Sequence, residues 1–416
     1  MSIRLRSYSV IPIEDESQVG EARRMAVALA NLLQFSETEQ GNLAIALTEA
    51  AKNIVKHADR GEILLRAWEG ESQNWIELIA LDQGLGMANV TQCLQDGFST
   101  AGTPGIGLGA IQRLSSRFDI YSYPQLGTVL RIDITSPKDS EVTGSEKQQN
   151  LSKNLSKNPS QNQLQNPLRE MRQGGWGDRD TIPPALNLFS LEDYALTFEA
   201  GNLAKDFAMG FIQVPKPGEQ VSGDACAIEY QSADRCLVLV SDGLGSGTLA
   251  AEASRAAIQV LQQKAQLGLK AILEAAHLAL RSTRGAAIAI AEILPQQQQL
   301  RFAGVGNISG TLLTGDKRQS LVSYNGTVGY QFRKVEEFTY PWTDHSLLVM
   351  HSDGLGTQWN LSHYPGLIQQ HPTVITSVLY RDFRRSRDDV TVLAIRNAYF
   401  PTQGTADRTA TGEPEC

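Results

Sequence analysis

A polar segment near the middle of the chain limits how the whole sequence can fold. Between Asp139 and Gly174, Ser, Asn and Gln make up 16 of 36 residues, no residue is aromatic, and Leu-Ser-Lys-Asn occurs twice in succession. Such a segment cannot bury enough apolar surface to offset its ordering entropy, so we expect a flexible linker. The chain then divides into a first domain (1–137), a linker (138–190), a second domain (191–398) and a disordered tail (399–416).

Charge and composition narrow the class of protein. With 37 Lys and Arg against 45 Asp and Glu, the net charge is −8, which argues against nucleic-acid binding. No apolar run reaches the roughly 18 to 20 residues that span a bilayer, and the N terminus lacks the apolar core of a secretion signal. The four cysteines show neither metal-binding nor disulfide spacing. We expect a cytoplasmic, multidomain protein with reduced cysteines and no membrane partner.

The first domain shows the mixed patterning of an α+β fold. Ser36 and Glu39 have the spacing of a capping box and are expected to begin a helix. A hairpin is expected around Pro124–Gly127. The other predicted strands are 3–13, 62–68 and 75–81, and the other predicted helices are 17–34 and 106–117.

Three features of the first domain together suit a nucleotide. Glu49 and Asn53 are four residues apart on the capped helix, so they project from one face. Asp82 ends an apolar strand and precedes a glycine-rich turn, and a second glycine-rich stretch at 102–109 leads into a helix whose N–H groups can bind phosphate. An amide and a carboxylate can hold Mg²⁺, and an isolated aspartate can accept the exocyclic amine of a base.

The second domain is strand-rich. Its predicted strands are 195–201, 224–230, 236–241, 285–293, 298–304, 309–314, 346–351 and 389–395. Its predicted helices are 247–264, 268–281 and 373–384.

Carboxylates lie at the ends of several of these strands. Asp224 opens a strand, Asp242 and Asp353 each follow an apolar strand within the repeated Ser-Asp-Gly-Leu-Gly, and Asp388 and Asp389 precede another strand. Carboxylates buried together repel unless cations neutralise them, and oxygen ligands suit Mg²⁺ or Mn²⁺. A pair of such ions about 3.5–4 Å apart can bridge a hydroxide and polarise a phosphoryl group.

The motifs of the first domain resemble the N, G1 and G2 boxes of the GHKL ATPases, and most closely those of the RsbT-type anti-sigma-factor serine kinases. The resemblance spans nearly all of residues 1–136 and implies a Bergerat α/β sandwich with ATP as cofactor. It implies Glu49 as catalytic base, Asn53 as Mg²⁺ ligand and Asp82 as adenine contact. Further implied nucleotide contacts are Gly84, Gly86, Gly105, Gly107, Gly109 and Thr128.

The acidic motifs of the second domain resemble the PPM-class serine/threonine phosphatases, in their SpoIIE and RsbX branch, over residues 192–397. The resemblance implies an αββα sandwich and catalytic roles for Asp224 and Asp242. A shift of one ligand to Asp389 stays open, and the arginine that binds phosphate in eukaryotic members is not identifiable. The implied Mg²⁺ or Mn²⁺ ligands are Asp224, Asp242, the Gly243 carbonyl, Asp353 and Asp388.

Together the resemblances imply a bifunctional signalling enzyme. The first domain would transfer the γ-phosphoryl group of ATP to a serine or threonine, and the second would hydrolyse it off. The implied partner is a STAS-domain phosphoprotein of the anti-anti-sigma or stressosome type, linked to a sigma factor or another downstream regulator. Two alternatives stay open: a first domain that only binds a partner under nucleotide control, and a second domain that is a degenerate scaffold.

Overall fold

Eight ranges of the chain are described by the computed structural model: residues 2–5, 8–58, 60–70, 72–95, 107–138, 198–199, 206–331 and 334–398. The predicted linker (beyond residue 138), the tail from 399 onward and Gly105 lie outside them. Within these ranges, no helix combines the length and the apolar character needed to cross a bilayer.

The N-terminal part is built on one antiparallel sheet with helices on one face. The strand order is β5-β6-β4-β3-β1-β7, and β2 also pairs with β3. The strands are β1 (Ser2–Leu5), β2 (Ser9–Ile13), β3 (Gly61–Glu69), β4 (Gln73–Asp82), β5 (Arg117–Ser122), β6 (Thr128–Pro137) and β7 (Phe198–Glu199). The helices are α1 (Glu16–Leu32), α2 (Glu37–His57), α3 (Val90–Cys93) and α4 (Gly107–Leu114).

The start of α2 is a capping box, as the sequence predicts. The Ser36 hydroxyl accepts a hydrogen bond from the Glu39 N–H at 3.3 Å, and the Glu39 carboxylate accepts one from the Ser36 N–H at 2.7 Å. These bonds satisfy two backbone donors that the first turn of a helix leaves unpaired. They therefore fix where the helix begins, and with it the face that carries Glu49 and Asn53.

The strand predicted at 195–201 completes the first sheet, which corrects the expectation that it belongs to the second domain. Phe198–Glu199 pairs antiparallel with β1, with Ser2 opposite Glu199. An edge strand presents unpaired N–H and C=O groups. The β7 segment supplies partners for those of β1.

Two five-stranded antiparallel sheets face each other in the C-terminal part, in the orders β15-β12-β11-β10-β9 and β14-β13-β16-β17-β8. Phe211, Val238, Phe302 and Leu348 belong to the apolar core between them. The strands are β8 (Phe207–Val214), β9 (Asp224–Ser232), β10 (Arg235–Gly243), β11 (Ala286–Leu294), β12 (Gln299–Val305), β13 (Ser309–Thr314), β14 (Lys317–Ser320), β15 (Phe338–Pro341), β16 (Ser346–His351) and β17 (Val390–Asn397).

Helices cover both outer faces of this sandwich, in the predicted αββα order. Helices α5 (Thr248–Lys264) and α6 (Leu269–Ala279) pack on the sheet that contains β10 and β11. Helix α7 (Pro372–Phe383) packs on β8 and β17 of the other sheet. Gly210 of β8 allows this close approach, because a Cβ there would lie 2.0 Å from the Thr373 nitrogen.

The opposite side of α7 packs on β4 and β6 of the N-terminal sheet. Ile79 and Val129 from that sheet join Ile375 and Leu379 of α7 in one buried apolar cluster. A flexible linker would let the two domains move separately. In the described residues they share a core instead.

A buried charge network lies in the same interface. Glu77 accepts hydrogen bonds from the Tyr8 hydroxyl at 2.6 Å, from Arg66 Nε at 3.1 Å and from Arg131 Nε at 3.0 Å. Arg66 also donates to the Phe211 carbonyl of the C-terminal part at 3.3 Å. Burial would raise the pKa of Glu77, but the charges of Arg66 and Arg131 outweigh it and lower the pKa to about 2.

We expect Glu77→Gln to lower the free energy of unfolding by about 3 kcal/mol at pH 7, because it leaves two buried arginines without their shared anion. The pKa of Glu77 is depressed from 4.5 to about 2. Its stabilising effect is therefore full above pH 4.5 and is lost as the pH falls towards 2. Urea denaturation followed by tryptophan fluorescence measures the difference.

The matched control is Glu274→Gln on α6, an exposed carboxylate 3.9 Å from Lys270. Its expected effect is below about 0.5 kcal/mol at any pH. Equal effects of the two substitutions, or a Glu77→Gln effect that persists undiminished at pH 2, would contradict the prediction.

Candidate functional sites

Glu49 and Asn53 lie half-buried on one face of α2, one turn apart. A Cβ added to Gly107 would lie 3.0 Å from Glu49 Oε2, so the Glu49 carboxylate sits against the first residue of α4. The N-terminal N–H groups of a helix attract anions. The structure thus brings together the predicted base and the helix start that is predicted to hold phosphate.

Asp82 is held by the loop that follows it. Its Oδ1 accepts hydrogen bonds from the Gly84 N–H at 2.8 Å and the Thr128 N–H at 3.1 Å. Burial raises the pKa of Asp82, and these two N–H groups oppose the rise. Both bonds end on Oδ1, so in the part of the chain that the structure describes Oδ2 is available to a donor on a ligand.

Glycine is required in this loop at Gly84 and Gly86. A Cβ on Gly84 would lie 2.4 Å from the His57 carbonyl oxygen, and one on Gly86, at φ +68°, would lie 2.0 Å from the Tyr123 carbonyl oxygen. Ser122, which no sequence motif indicates, holds the loop against the hairpin. Its hydroxyl accepts from the Met87 N–H at 2.8 Å and lies 2.9 Å from Thr128 Oγ1.

Of the three glycines predicted to contact phosphate, two lie within the described residues. Gly107 and Gly109 lie in the first turn of α4, where Gly109 is buried. Gly105 lies outside the described residues. Among the described residues, Asp82 and Thr128 lie where the base is predicted to bind, and Glu49 and Gly107 lie where the phosphates are predicted to bind.

The acidic residues of the C-terminal part meet at one end of the sandwich. Asp224 and Asp242 are directly opposite each other in the β9–β10 pair. Alternation along the strands points both side chains into the space between the sheets, in line with the core residues Cys226 and Val240. On the facing sheet, Ser352 and Thr391 follow the same alternation as the core residues Met350 and Leu393, so their side chains also point into this space. The Ser352 N–H donates a hydrogen bond to the Thr391 carbonyl at 3.0 Å.

These carboxylates raise one another's pKa. For Asp242, burial and the charges of Asp353, Asp388 and Asp389 raise the pKa to about 7. For Asp224, burial followed by the charge of Asp242 raises the pKa well above its ordinary value. Carboxylates that resist losing their protons in this way are stabilised by a cation.

The carboxylate of Asp353 is positioned by Asn307, for which the sequence predicts no role. Asn307 Nδ2 donates to Asp353 Oδ2 at 2.7 Å. Burial and the charge of Asp388 raise the pKa of Asp353, whereas Arg385 opposes the rise. Asn307 stands in the glycine-rich stretch Phe-Ala-Gly-Val-Gly-Asn, which was the available signal.

Asp388 and Asp389 differ in what their oxygens contact. Asp389 is buried, and its two oxygens accept the N–H groups of Lys216 at 2.7 Å and Gly223 at 2.9 Å. Asp388 is half-buried, and its Oδ1 accepts the Asp389 N–H at 3.0 Å. Asp389 therefore anchors backbone, whereas Asp388 keeps one oxygen for a ligand.

Gly243 follows Asp242 under the first turns of α5. A Cβ there would lie 2.1 Å from the Ala250 carbonyl oxygen, so only glycine fits. The role of its carbonyl as a metal ligand stays a prediction.

The donor set fits Mg²⁺ or Mn²⁺. All the side-chain donors are oxygens, and Asp224 Oδ2 is buried without a hydrogen-bond partner among the described residues. Within the same residues, no three Asp, Glu, His or Cys side chains converge closely enough to enclose one metal ion by themselves. Since Mg²⁺ commonly binds one or two carboxylates and keeps several waters, the aspartates suit such a partly hydrated ion.

Cys226 and Cys236 are fully buried strand residues, as expected. Burial raises the pKa of Cys226 to about 12 and raises that of Cys236 as well, so both thiols stay protonated. Neither is suited to act as a nucleophile.

Known protein families match both parts of the chain. The family described as "Histidine kinase-like ATPase domain" matches residues 11–134. The family described as "Stage II sporulation protein E (SpoIIE)" matches residues 232–398.

Two similar proteins come from Bacillus subtilis (strain 168). The serine/threonine-protein kinase RsbT is 30% identical over 127 residues, which are 30% of this chain and 96% of that protein. The phosphoserine phosphatase RsbX is 28% identical over 153 residues, which are 36% of this chain and 76% of that protein. A solved structure described as "The bacterial stressosome: a modular system that has been adapted to control secondary messenger signaling" is 26% identical, with a TM-score of 0.44, over 46% of this chain and 99% of that chain.

We expect Asp388→Asn to weaken Mn²⁺ binding at least about tenfold, because it removes a negative oxygen while its remaining oxygen can still accept the Asp389 N–H. Asp389→Asn should instead lower the free energy of unfolding by about 1–3 kcal/mol, because its amide nitrogen would face a backbone N–H. Titration calorimetry with Mn²⁺ and urea denaturation measure the two effects. If Asp389→Asn instead weakened Mn²⁺ binding and Asp388→Asn lowered the free energy of unfolding, Asp389 would be the metal ligand.

Proposed function

Since this chain belongs to the RsbT-type family of histidine kinase-like ATPases and also carries a SpoIIE-type phosphatase domain, we propose that it both adds and removes a phosphoryl group on a partner protein. The observation that carries the proposal is the presence of two separate acidic sites on one chain. Glu49 and Asp82 surround one site, and Asp224, Asp242 and Asp353 the other.

In the first site, the chain's residues bind and orient ATP. Asp82 Oδ2 accepts the exocyclic amine of adenine, Asn53 contributes an oxygen ligand to Mg²⁺, and the N terminus of α4 holds phosphate oxygens. Glu49 takes the proton of a serine or threonine hydroxyl. The hydroxyl oxygen then bonds to the γ-phosphorus as the bond to ADP breaks.

In the second site, Asp224, Asp242, Asp353 and Asp388 would hold divalent cations beside the phosphoserine ester. Bound Mg²⁺ or Mn²⁺ supplies positive charge for the phosphoryl oxygens and lowers the pKa of water. The water oxygen bonds to phosphorus as the ester bond breaks, and one proton of that water passes to the leaving serine oxygen. Asn307 keeps Asp353 oriented throughout, and Asp389 keeps Lys216 and Gly223 in place.

The proposed partner is a STAS-domain protein of the anti-anti-sigma or stressosome type. Support comes from the similarity to RsbT and RsbX, since one part of this chain is similar to a serine/threonine-protein kinase and the other to a phosphoserine phosphatase. Opposed activities on one chain set the phosphorylated fraction of the partner by the ratio of their rates.

The test uses an Asp242→Asn chain, in which the phosphatase site is disabled. Incubation with ATP, Mg²⁺ and a STAS-domain protein from the same source should add one phosphoryl group to the partner, measured by intact mass. Wild-type chain with Mn²⁺ should then remove it. No gain in mass while ATP is bound would contradict the kinase and favour a nucleotide-controlled binding module.

Glu49→Ala in the same Asp242→Asn chain should abolish the gain in mass, because the hydroxyl proton loses its acceptor. The matched control is Glu37→Ala, an exposed carboxylate in the first turn of the same helix. It should leave phosphorylation unchanged. Equal phosphorylation by the Glu49→Ala and Glu37→Ala chains would exclude Glu49 as the base.

A further inference from the structure

The end of α7, in the phosphatase domain, touches the loop that carries Asp82. Arg381 Nη1 donates a hydrogen bond to the Asp82 carbonyl oxygen at 2.8 Å. Next to it, Gln83 Nε2 donates to Asp382 Oδ1 at 3.1 Å. Two consecutive residues of one domain thus bind two consecutive residues of the other.

Arg381 is held rigidly for this contact. Its Nε and Nη2 donate to the two carboxylate oxygens of Asp382, each at 2.8 Å, and the Tyr364 hydroxyl donates to the same carboxylate at 2.8 Å. The Arg381 side chain is 6% exposed. A two-pronged bond to a carboxylate fixes the plane of a guanidinium, so Nη1 has one direction in which to donate.

The Asp82 carbonyl is also confined from the other side. A Cβ on Gly127 would lie 2.2 Å from the Asp82 carbonyl oxygen, so the hairpin backbone passes directly over it. Arg381 and Gly127 together leave the Asp82 backbone little freedom to shift. Both the backbone and the side chain of Asp82 are therefore held in place. Arg381 and Gly127 confine the carbonyl, and the N–H groups of Gly84 and Thr128 bind Oδ1 of the carboxylate.

We propose that Arg381 is a positioning residue for adenine recognition, so that the phosphatase domain helps to set the base selectivity of the kinase-like domain. This inference rests on the proposed binding of ATP in the first site. A carboxylate accepts the exocyclic amine of adenine. The same position in the hypoxanthine of inosine triphosphate carries an oxygen that cannot donate. Selectivity between these two bases depends on how firmly Asp82 is placed.

The experiment measures the dissociation constants of ATP and inosine triphosphate, with Mg²⁺, for the full-length chain by titration calorimetry. Wild-type chain should prefer ATP by at least about tenfold, as a hydrogen bond to a charged group provides. Arg381→Ala should reduce that preference at least about fivefold, mainly by lowering the affinity for ATP. Arg381→Lys keeps a positively charged donor but cannot form the bidentate bond to Asp382. Its preference for ATP should therefore lie between those of the wild-type and Arg381→Ala chains.

The matched control is Arg384→Ala. Arg384 forms an ion pair with Glu62 across the same interface, one turn further along, without touching Asp82. Its ATP preference should equal that of the wild type. If Arg381 had a purely structural role, its loss would weaken the binding of both nucleotides equally. The ratio of their dissociation constants would then stay unchanged.

An unchanged ratio in Arg381→Ala and Arg381→Lys, with normal circular dichroism, would overturn this inference alone. A ratio that falls equally in Arg384→Ala would also overturn it, because the effect would then belong to the interface in general. Failure of the wild-type chain to bind either nucleotide would overturn the proposed function of the first domain, and this inference with it.

Discussion

Helix α7 is the element on which the rest of the arrangement depends, because it is buried between two sheets. Every residue from Pro372 to Tyr380 is buried. A helix that is buried all round cannot present a polar face to water, so both sheets must remain in place for it to be stable. The close approach of α7 to Gly210 on one side and its packing against Ile79 and Val129 on the other are therefore parts of a single core.

The buried charges beside α7 fix how the sheets lie on it. Buried ion pairs add little net stability relative to apolar packing, but breaking one leaves a charge without a partner. Arg131 illustrates this point: it binds Glu77 and Asp133, and its Nη1 lies 2.9 Å from His371 Nδ1 at the start of α7. Burial lowers the pKa of His371, with the nearby Arg131 charge acting in the same direction, so the imidazole is neutral and can accept. A shift of either sheet along α7 would separate these groups.

The end of α7 lies between the two candidate sites. Arg381 donates to the Asp82 carbonyl in the candidate nucleotide site. Four residues later, the Arg385 N–H donates to the Gly354 carbonyl at 2.7 Å, directly after the acidic residue Asp353. One short segment thus contacts the loop of each candidate site.

Local patterns in the sequence determined most individual elements and the chemical types in the sites. The capping box at Ser36, the apolar strands before Asp242 and Asp353, and the glycine turn after Asp82 all follow from short-range stereochemistry. Strand β8 does not follow from patterning, because it is covered on both faces and shows no alternation of apolar and polar residues. The edge strands β14 and β15 are too short to show such a pattern.

Which distant residues meet depends on tertiary packing. Nothing in the sequence near Asp82 indicates Arg381, since the two are 299 positions apart and are joined by the packing of α7 on β4 and β6. The same holds for Asn307 beside Asp353 and for the division of roles between Asp388 and Asp389. Sequence alone determined what each segment could become and which chemistry it could carry. The contacts that align Asp82, separate Asp388 from Asp389 and join the two domains depend on burial, which is a property of the assembled core and not of any single segment.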